Sequence, residues 1–148
     1  MDADCSYDPL ELIRMIPELD ERTDLVTASP YHPRGFVLAV PGWRLLLSRS
    51  LSRLYHLVLR HKLYTYTSCF RVYRKSAVAN IHTDYGDFRG IVELLARLDI
   101  SGGTIKEFPT TLQSRIFGYS KMKTLKTILG HLKLLLGILS MKVRSRHG

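Results

Sequence analysis

An α/β fold is predicted by three features of this sequence. Segments with helical and strand periodicity alternate along it. A leucine-rich segment at helical spacing closes it. The strand segments between are too few to complete a doubly wound sheet, so the expected fold is an incomplete one.

The elements follow in order. Asp8-Pro9-Leu10-Glu11 predicts a helix start, with Asp8 as cap, Pro9 at the first helical position and Glu11 at the capping-box position. Pro17 limits that helix near Ile16. Residues 25–28 (Leu-Val-Thr-Ala) predict a short buried strand. Residues 31–42, rich in proline and glycine, predict a loop. Residues 43–63 predict a long helix that turns Trp43, Leu47, Leu51, Leu54 and Val58 inward. Arg49, Arg53 and Arg60 fall on its opposite face, and Arg44 falls near the apolar edge. Residues 65–73 alternate and are rich in Thr, Tyr and Phe, which predicts a strand. Residues 90–99 predict a helix with Ile91, Leu94, Leu95 and Leu98 inward, stopped by Gly102 and Gly103. Residues 104–108 predict a further strand, and residues 120–144 a final helix.

Composition narrows the function classes. The hydrophobic fraction of 45% and charged fraction of 24% suit a folded domain. Lys and Arg number 22 against 13 Asp and Glu, a net charge of +9. The acids cluster at the start, and residues 25–83 and 108–148 contain none. Such basic stretches attract nucleic acid, anionic lipid or phosphorylated substrates. Cys5 and Cys69 form no CxxC pair, so thiols in a reducing compartment are expected rather than zinc ligands. Asp2-Ala3-Asp4 is the reverse of a basic signal-peptide start, and no apolar run reaches the roughly 20 residues that span a bilayer.

Several residues carry chemistry. Asp2 and Asp4, two positions apart at a strand end, would point to one side and hold a hard divalent cation. Arg44, Arg49, Arg115 and Lys121 are candidates for phosphate, which guanidinium groups grip in pairs of hydrogen bonds. Arg53 and Arg60 read as a solvated basic face. Glu93 reads as a helix residue pairing with Arg89 or Arg97. In the last helix Leu125, Ile128, Leu129, Leu132, Leu135, Leu136 and Leu139 form one broad stripe, with Lys123, Lys126 and Lys133 mostly opposite. That pattern predicts a helix lying on an anionic membrane surface, contacting it through Leu125, Leu129, Leu132, Leu136 and Leu139.

Taken in order, these motifs resemble the GT-A-fold glycosyltransferases of family 2 that act on polyprenyl phosphates, the dolichol-phosphate mannosyltransferase type. The resemblance runs through Asp2-Ala3-Asp4-Cys5-Ser6-Tyr7-Asp8-Pro9, then Arg44 with Ser48-Arg49. It continues in Thr67-Ser68-Cys69-Phe70-Arg71, Glu93-Leu94-Leu95, Glu107-Phe108-Pro109, and Arg115 through Gly118 to Ser120-Lys121. It covers nearly the whole chain. It implies residues 1–119 as the C-terminal half of a GT-A domain whose nucleotide-binding half would lie upstream, with Met1 at the end of a strand. Residues 120–148 would be a basic membrane-surface helix and tail. It further implies Mg2+ or Mn2+ on Asp2 and Asp4, and a nucleotide sugar (GDP-mannose or UDP-hexose) as donor. The acceptor would be a polyprenyl phosphate, met peripherally at the cytoplasmic face of a membrane, with no role for nucleic acid. Departures from the family pattern are Ser6 where a stronger metal ligand is common, Pro30 where an arginine is common, with Arg34 a possible replacement, and Cys69 where glycine is usual. Two other readings are a basic nucleic-acid-binding module and an inactive remnant of such a transferase.

Overall fold

A computed structural model describes residues 6–113 and 124–147. Its elements alternate as α/β. A short helical segment centred on α1 (Leu12–Met15) is followed by β1 (Leu25–Ser29), β2 (Phe36–Leu38) and α2 (Gly42–Val58). Then come β3 (Arg71–Tyr73), α3 (Lys75–Val78), α4 (Phe88–Ile100), β4 (Ile105–Pro109), β5 (Thr111–Gln113) and α5 (Thr124–His147). The main sheet has the order β3-β1-β4, with β1 antiparallel to β3 and parallel to β4. A smaller parallel pair joins β2 to β5.

β1 is buried along its whole length, which explains why its sequence is a run of small and apolar residues rather than an alternation. Leu25 faces the larger core, with Tyr55, Val92, Leu95, Ile105, Leu134 and Ile138 from the helices and β4. Val26 and Ala28 face the other way, onto Met15, Phe70 and Phe108. The sheet is thus covered on both sides, by α2, α4 and α5 on one and the α1 segment on the other.

Asp8 caps the first helical turn as expected, accepting the Leu10 N–H at 2.9 Å. Glu11 departs from its capping-box role and receives a backbone hydrogen bond from Thr111 instead; burial, its largest influence, raises its pKa. The long helix ends at Val58, short of residue 63. The reason lies far away in sequence: the Asp99 carboxylate takes the N–H groups of Arg60 at 2.7 Å and His61 at 2.9 Å. Once those donors are taken, the next helical turn has nothing to gain.

A similar competition shortens the strand expected at residues 65–73 to Arg71–Tyr73. Glu107 accepts from the Tyr64 and Thr65 N–H groups, Ser52 Oγ from Tyr66, and Ser68 Oγ from Phe70. Side chains therefore satisfy the backbone that a partner strand would have satisfied. β2 lies inside the stretch expected to be loop, and its three residues pair with β5. Gly35, just before it, is packed so that a Cβ would stand 2.6 Å from the Ser29 carbonyl oxygen.

Two helices are rotated from the expected facing. In α2 the buried residues are Ser52, Tyr55 and Val58, while Trp43 and Leu54 are exposed. Tyr55 turns inward because its hydroxyl reaches His131 and its ring packs near Tyr66. In α4 the buried apolar residues are Val92, Leu95, Ala96 and Leu98, with Ile91 and Leu94 only half-buried. Asp87 caps this helix, and Gly102, at φ +96°, ends it with Gly103 N–H on the Leu98 carbonyl.

α5 docks through His131, Leu134 and Ile138. The His131 ring lies edge-on to Phe88 and Tyr55, with Nδ1 3.1 Å from the Tyr55 hydroxyl. Its Nε2 is buried without a partner. Burial, aided by the neighbouring Arg89 and opposed by Asp87, lowers the pKa of the imidazole below its usual 6.5. In the unfolded chain this ring takes a proton first, so its contribution to stability is intact above that value and declines as pH falls through it. Urea unfolding at pH 7 and pH 5 should show a loss of stability that is smaller in His131→Leu than in the wild type. Equal losses would show that this ring does not titrate against the fold.

Candidate functional site

The basic residues of α2 divide into two groups. Arg44 and Arg49 are five residues apart, about 140° around a helix, and they find different partners. The Arg44 guanidinium lies over the Trp43 ring at 5.5 Å, and that of Arg49 over Tyr31 at 5.0 Å. Arg49, Arg53 and His56 line a cavity of about 280 Å³ together with Tyr31, Ser52 and Tyr64. Arg44 does not line the cavity beside Arg49.

The walls of this cavity are held from several elements. Tyr31 leaves the end of β1, and burial pushes its phenol pKa up, partly countered by Ser48 and Arg49. Ser48 Oγ is 2.8 Å from Thr67 Oγ1, and Ser29 Oγ is 3.0 Å from Thr65 Oγ1. These two hydroxyl pairs tie α2 and β1 to the 64–68 loop, whose start is fixed by Glu107. The Tyr64 ring packs edge-on against His32. His56 Nδ1 is 3.3 Å from the Leu63 carbonyl oxygen, so this nitrogen is the donor and carries the proton. Neither Arg49 nor Arg53 forms an ion pair among the described residues. Both guanidinium groups are open to an incoming anion.

Other expected residues take structural roles. Glu93 pairs with Arg97 at 2.7 Å and also accepts from the Asp84 and Tyr85 N–H groups. Arg89 pairs with Asp87 instead, a contact that lowers the Asp87 pKa to about 2. Arg71, only 8% exposed, donates to Thr27, Tyr73, and the Ile91 and Tyr66 carbonyls, all neutral acceptors. It clamps the 66–70 loop to β1 and α4. Cys69 is buried within this loop, ahead of the three residues that form β3.

Asp2, Asp4, Arg115 and Lys121 lie outside the described residues. The described residues nearest in sequence to Asp4 and to Arg115 are joined: the Gln113 N–H donates to the Ser6 carbonyl at 2.9 Å. Ser6 follows Asp4 by two positions and Gln113 precedes Arg115 by two. Among the described residues no group of His, Cys, Asp or Glu could hold a metal. Asp2 and Asp4 carry carboxylates, the oxygen-ligand type that hard divalent cations take.

On α5, Leu129, Leu132, Leu136, Leu139 and Val143 follow alternating three- and four-residue spacing and are 59, 40, 67, 40 and 58% exposed. They line the face turned away from His131, Leu134 and Ile138. Of the stripe expected, Leu129, Leu132, Leu136 and Leu139 are exposed and Ile128 and Leu135 are half-buried, while the docking residues Leu134 and Ile138 lie outside it. The Leu125 side chain lies outside the description. No described helix is long and apolar enough to cross a membrane.

Arg53 and His56 were not legible as site residues. Their spacing from Arg49, one and two turns on, was the available signal, but Tyr31 and Tyr64 come from elsewhere to make the face into a cavity.

No family model matches the chain. Curated relatives do. The chain is 33% identical over 125 residues to a polyprenol monophosphomannose synthase of Mycolicibacterium smegmatis, covering 82% of this chain and 47% of that protein. It is 32% identical over 125 residues to an undecaprenyl-phosphate mannosyltransferase of Micrococcus luteus, covering 82% of this chain and 51% of that one. The chain thus spans about half the length of the relatives it matches. Its mixed α/β fold with a partial sheet is compatible with part of a GT-A domain, and by sequence it is a relative of the polyprenyl-phosphate mannosyltransferases.

Proposed function

We propose that this chain is one half of an enzyme that transfers mannose from a nucleotide sugar to a polyprenyl phosphate at a membrane surface. The observation that carries the proposal is the match, at 32–33% identity over 125 residues, to two proteins named for that lipid chemistry. The α2 cavity supports it, because Arg49 offers an unpaired guanidinium on a rigid wall.

In this reading an oxygen of the acceptor phosphate forms the new bond to the anomeric carbon. The bond from that carbon to the nucleoside diphosphate breaks, and its electron pair leaves with the diphosphate. The acceptor oxygen is already anionic, so no protein base is required. Arg49, with Arg115 and Lys121, would hold the phosphate and offset charge during the displacement. Arg44, stacked on Trp43, would sit outside that grip. Asp2 and Asp4 would hold Mg2+ or Mn2+, which when bound offsets the charge of the departing diphosphate.

The outward leucines of α5 would place this chemistry beside the bilayer, at its cytoplasmic face and peripherally. Burying apolar area at the interface contributes about 25 cal/mol per Å². Lys133 and Arg144, both exposed on this helix, would add about 1 kcal/mol each against anionic lipid. Leu136→Asp, at the most exposed position of the stripe, should leave the fold intact and weaken co-sedimentation with anionic vesicles by about tenfold. High salt should weaken it only in part, since the apolar contribution is unscreened. Unchanged vesicle binding in Leu136→Asp, or no binding by the wild type, would contradict the membrane role.

A further inference from the structure

Residues 6–11 are pinned to two neighbours at once. The Ser6 carbonyl accepts the Gln113 N–H at 2.9 Å, and the Glu11 carboxylate accepts the Thr111 N–H. Donors two residues apart on a strand point to the same edge, so these two bonds occupy the edge of β5 opposite β2. Between them the Tyr7 ring packs against Phe70 at 5.3 Å, and its hydroxyl accepts from Ser68 Oγ at 3.3 Å. Glu11 has no other such contact. It forms no ion pair among the described residues, and Arg14, one turn on, lies over the Phe108 ring. Its Oε2 is buried there without a partner. A buried carboxylate oxygen left bare costs stability, so the fold gains little from Glu11. Its effect is geometric. Ser6 stands two positions after Asp4, and Gln113 two positions before Arg115. We propose that Glu11 is a positioning residue, which holds β5 against residues 6–11 and so sets the metal carboxylates against the phosphate-binding Arg115.

The proposal rests on the reading of Asp2, Asp4 and Arg115 as metal and phosphate residues, and adds a residue that need touch neither ligand. Misplacing reacting groups by about 1 Å costs about a hundredfold in rate. Loosening one bond of this joint should cost part of that. Metal and phosphate each keep their own ligands, so binding of each survives while the chemical step slows.

Amide exchange in the 148-residue chain reads the joint directly. Glu11→Ala should speed exchange at Thr111, which loses its acceptor, and also at Gln113, whose acceptor is the unaltered Ser6 carbonyl. Glu11→Gln retains an acceptor oxygen and should restore both. The catalytic arm uses this chain joined to the half of the Mycolicibacterium smegmatis synthase that it does not match. There Glu11→Ala should lower kcat for mannose transfer about tenfold, with KM for polyprenyl phosphate and the metal half-saturation within about twofold of the unsubstituted fusion. Glu11→Gln should recover kcat, and circular dichroism at the assay temperature checks that each variant is folded. A loss that acts through the metal should vanish beside Asp4→Ala, whereas a smaller folded fraction would lower the rate by the same factor again. Unchanged Gln113 exchange in Glu11→Ala, or a kcat loss that persists in full beside Asp4→Ala, overturns the proposal. A folded, unsubstituted fusion without transfer overturns the transferase reading and the role of Glu11 with it. Intact transfer with unmoved Gln113 exchange overturns the role of Glu11 alone.

Discussion

Asp99→Ala should cost about 3–5 kcal/mol of stability, a large share of the total for a domain of this size. Asp99 sits in the last turn of α4, fully buried. One oxygen accepts from the Arg60 N–H, the other from the His61 N–H and from His61 Nδ1 at 2.6 Å. His61 Nε2 in turn accepts the Ile105 N–H at 3.3 Å, so the ring carries its proton on Nδ1. This single carboxylate therefore joins the end of α2, the end of α4 and the start of β4. Its removal strands several donors in a place that water reaches poorly, each costing about 1–3 kcal/mol. Asp99→Asn keeps the shape and one acceptor and should lose roughly half as much. Urea denaturation measures both. A loss below about 1 kcal/mol in Asp99→Ala would show that the joint is maintained by packing alone.

The same residue shows where sequence reading stops. The start of the first helical turn was legible at Asp8 because its cap is local, two residues from its donor. The buried run at β1 was legible because burial on both faces leaves a continuous apolar stretch. The end of α2 was not, because its terminator stands 39 residues away. The strand expected before Arg71 fails for a like reason. Its alternation of aromatic and hydroxyl residues is real, but Glu107 and Ser52 take its backbone donors. β2 and β5, three residues each, carry too short a pattern to read.

The candidate site divides in the same way. Arg49 could be singled out from its neighbours in the sequence. Its separation from Arg44 could not, since both lie in one short motif and only their stacking partners, Tyr31 and Trp43, pull them apart. The outward leucines of α5 were legible as a group, but Leu134 and Ile138, which dock the helix on the core, fell outside the stripe read from the sequence.

The second large effect concerns Asp4. In this chain joined to the half of the Mycolicibacterium smegmatis synthase that it does not match, Asp4→Ala should lower metal-dependent mannose transfer by at least about a hundredfold. Two carboxylates share the cation, and loss of one leaves the departing diphosphate poorly compensated. A chelator should reproduce the loss in the unsubstituted fusion, and added Mg2+ or Mn2+ should reverse it. Near-normal turnover by Asp4→Ala with the same metal requirement would remove Asp2 and Asp4 from the metal site.

Transfer itself tests the central claim most directly. The measurement is formation of a mannosyl-phosphoryl lipid from radiolabelled GDP-mannose and a polyprenyl phosphate in anionic vesicles. The 148 residues assayed alone should form none. The fusion should form it, and Arg49→Gln should reduce it by about tenfold or more. A properly folded fusion that forms no such lipid, or one whose transfer is indifferent to Arg49→Gln, would contradict the assignment of this chain and its α2 cavity to that reaction.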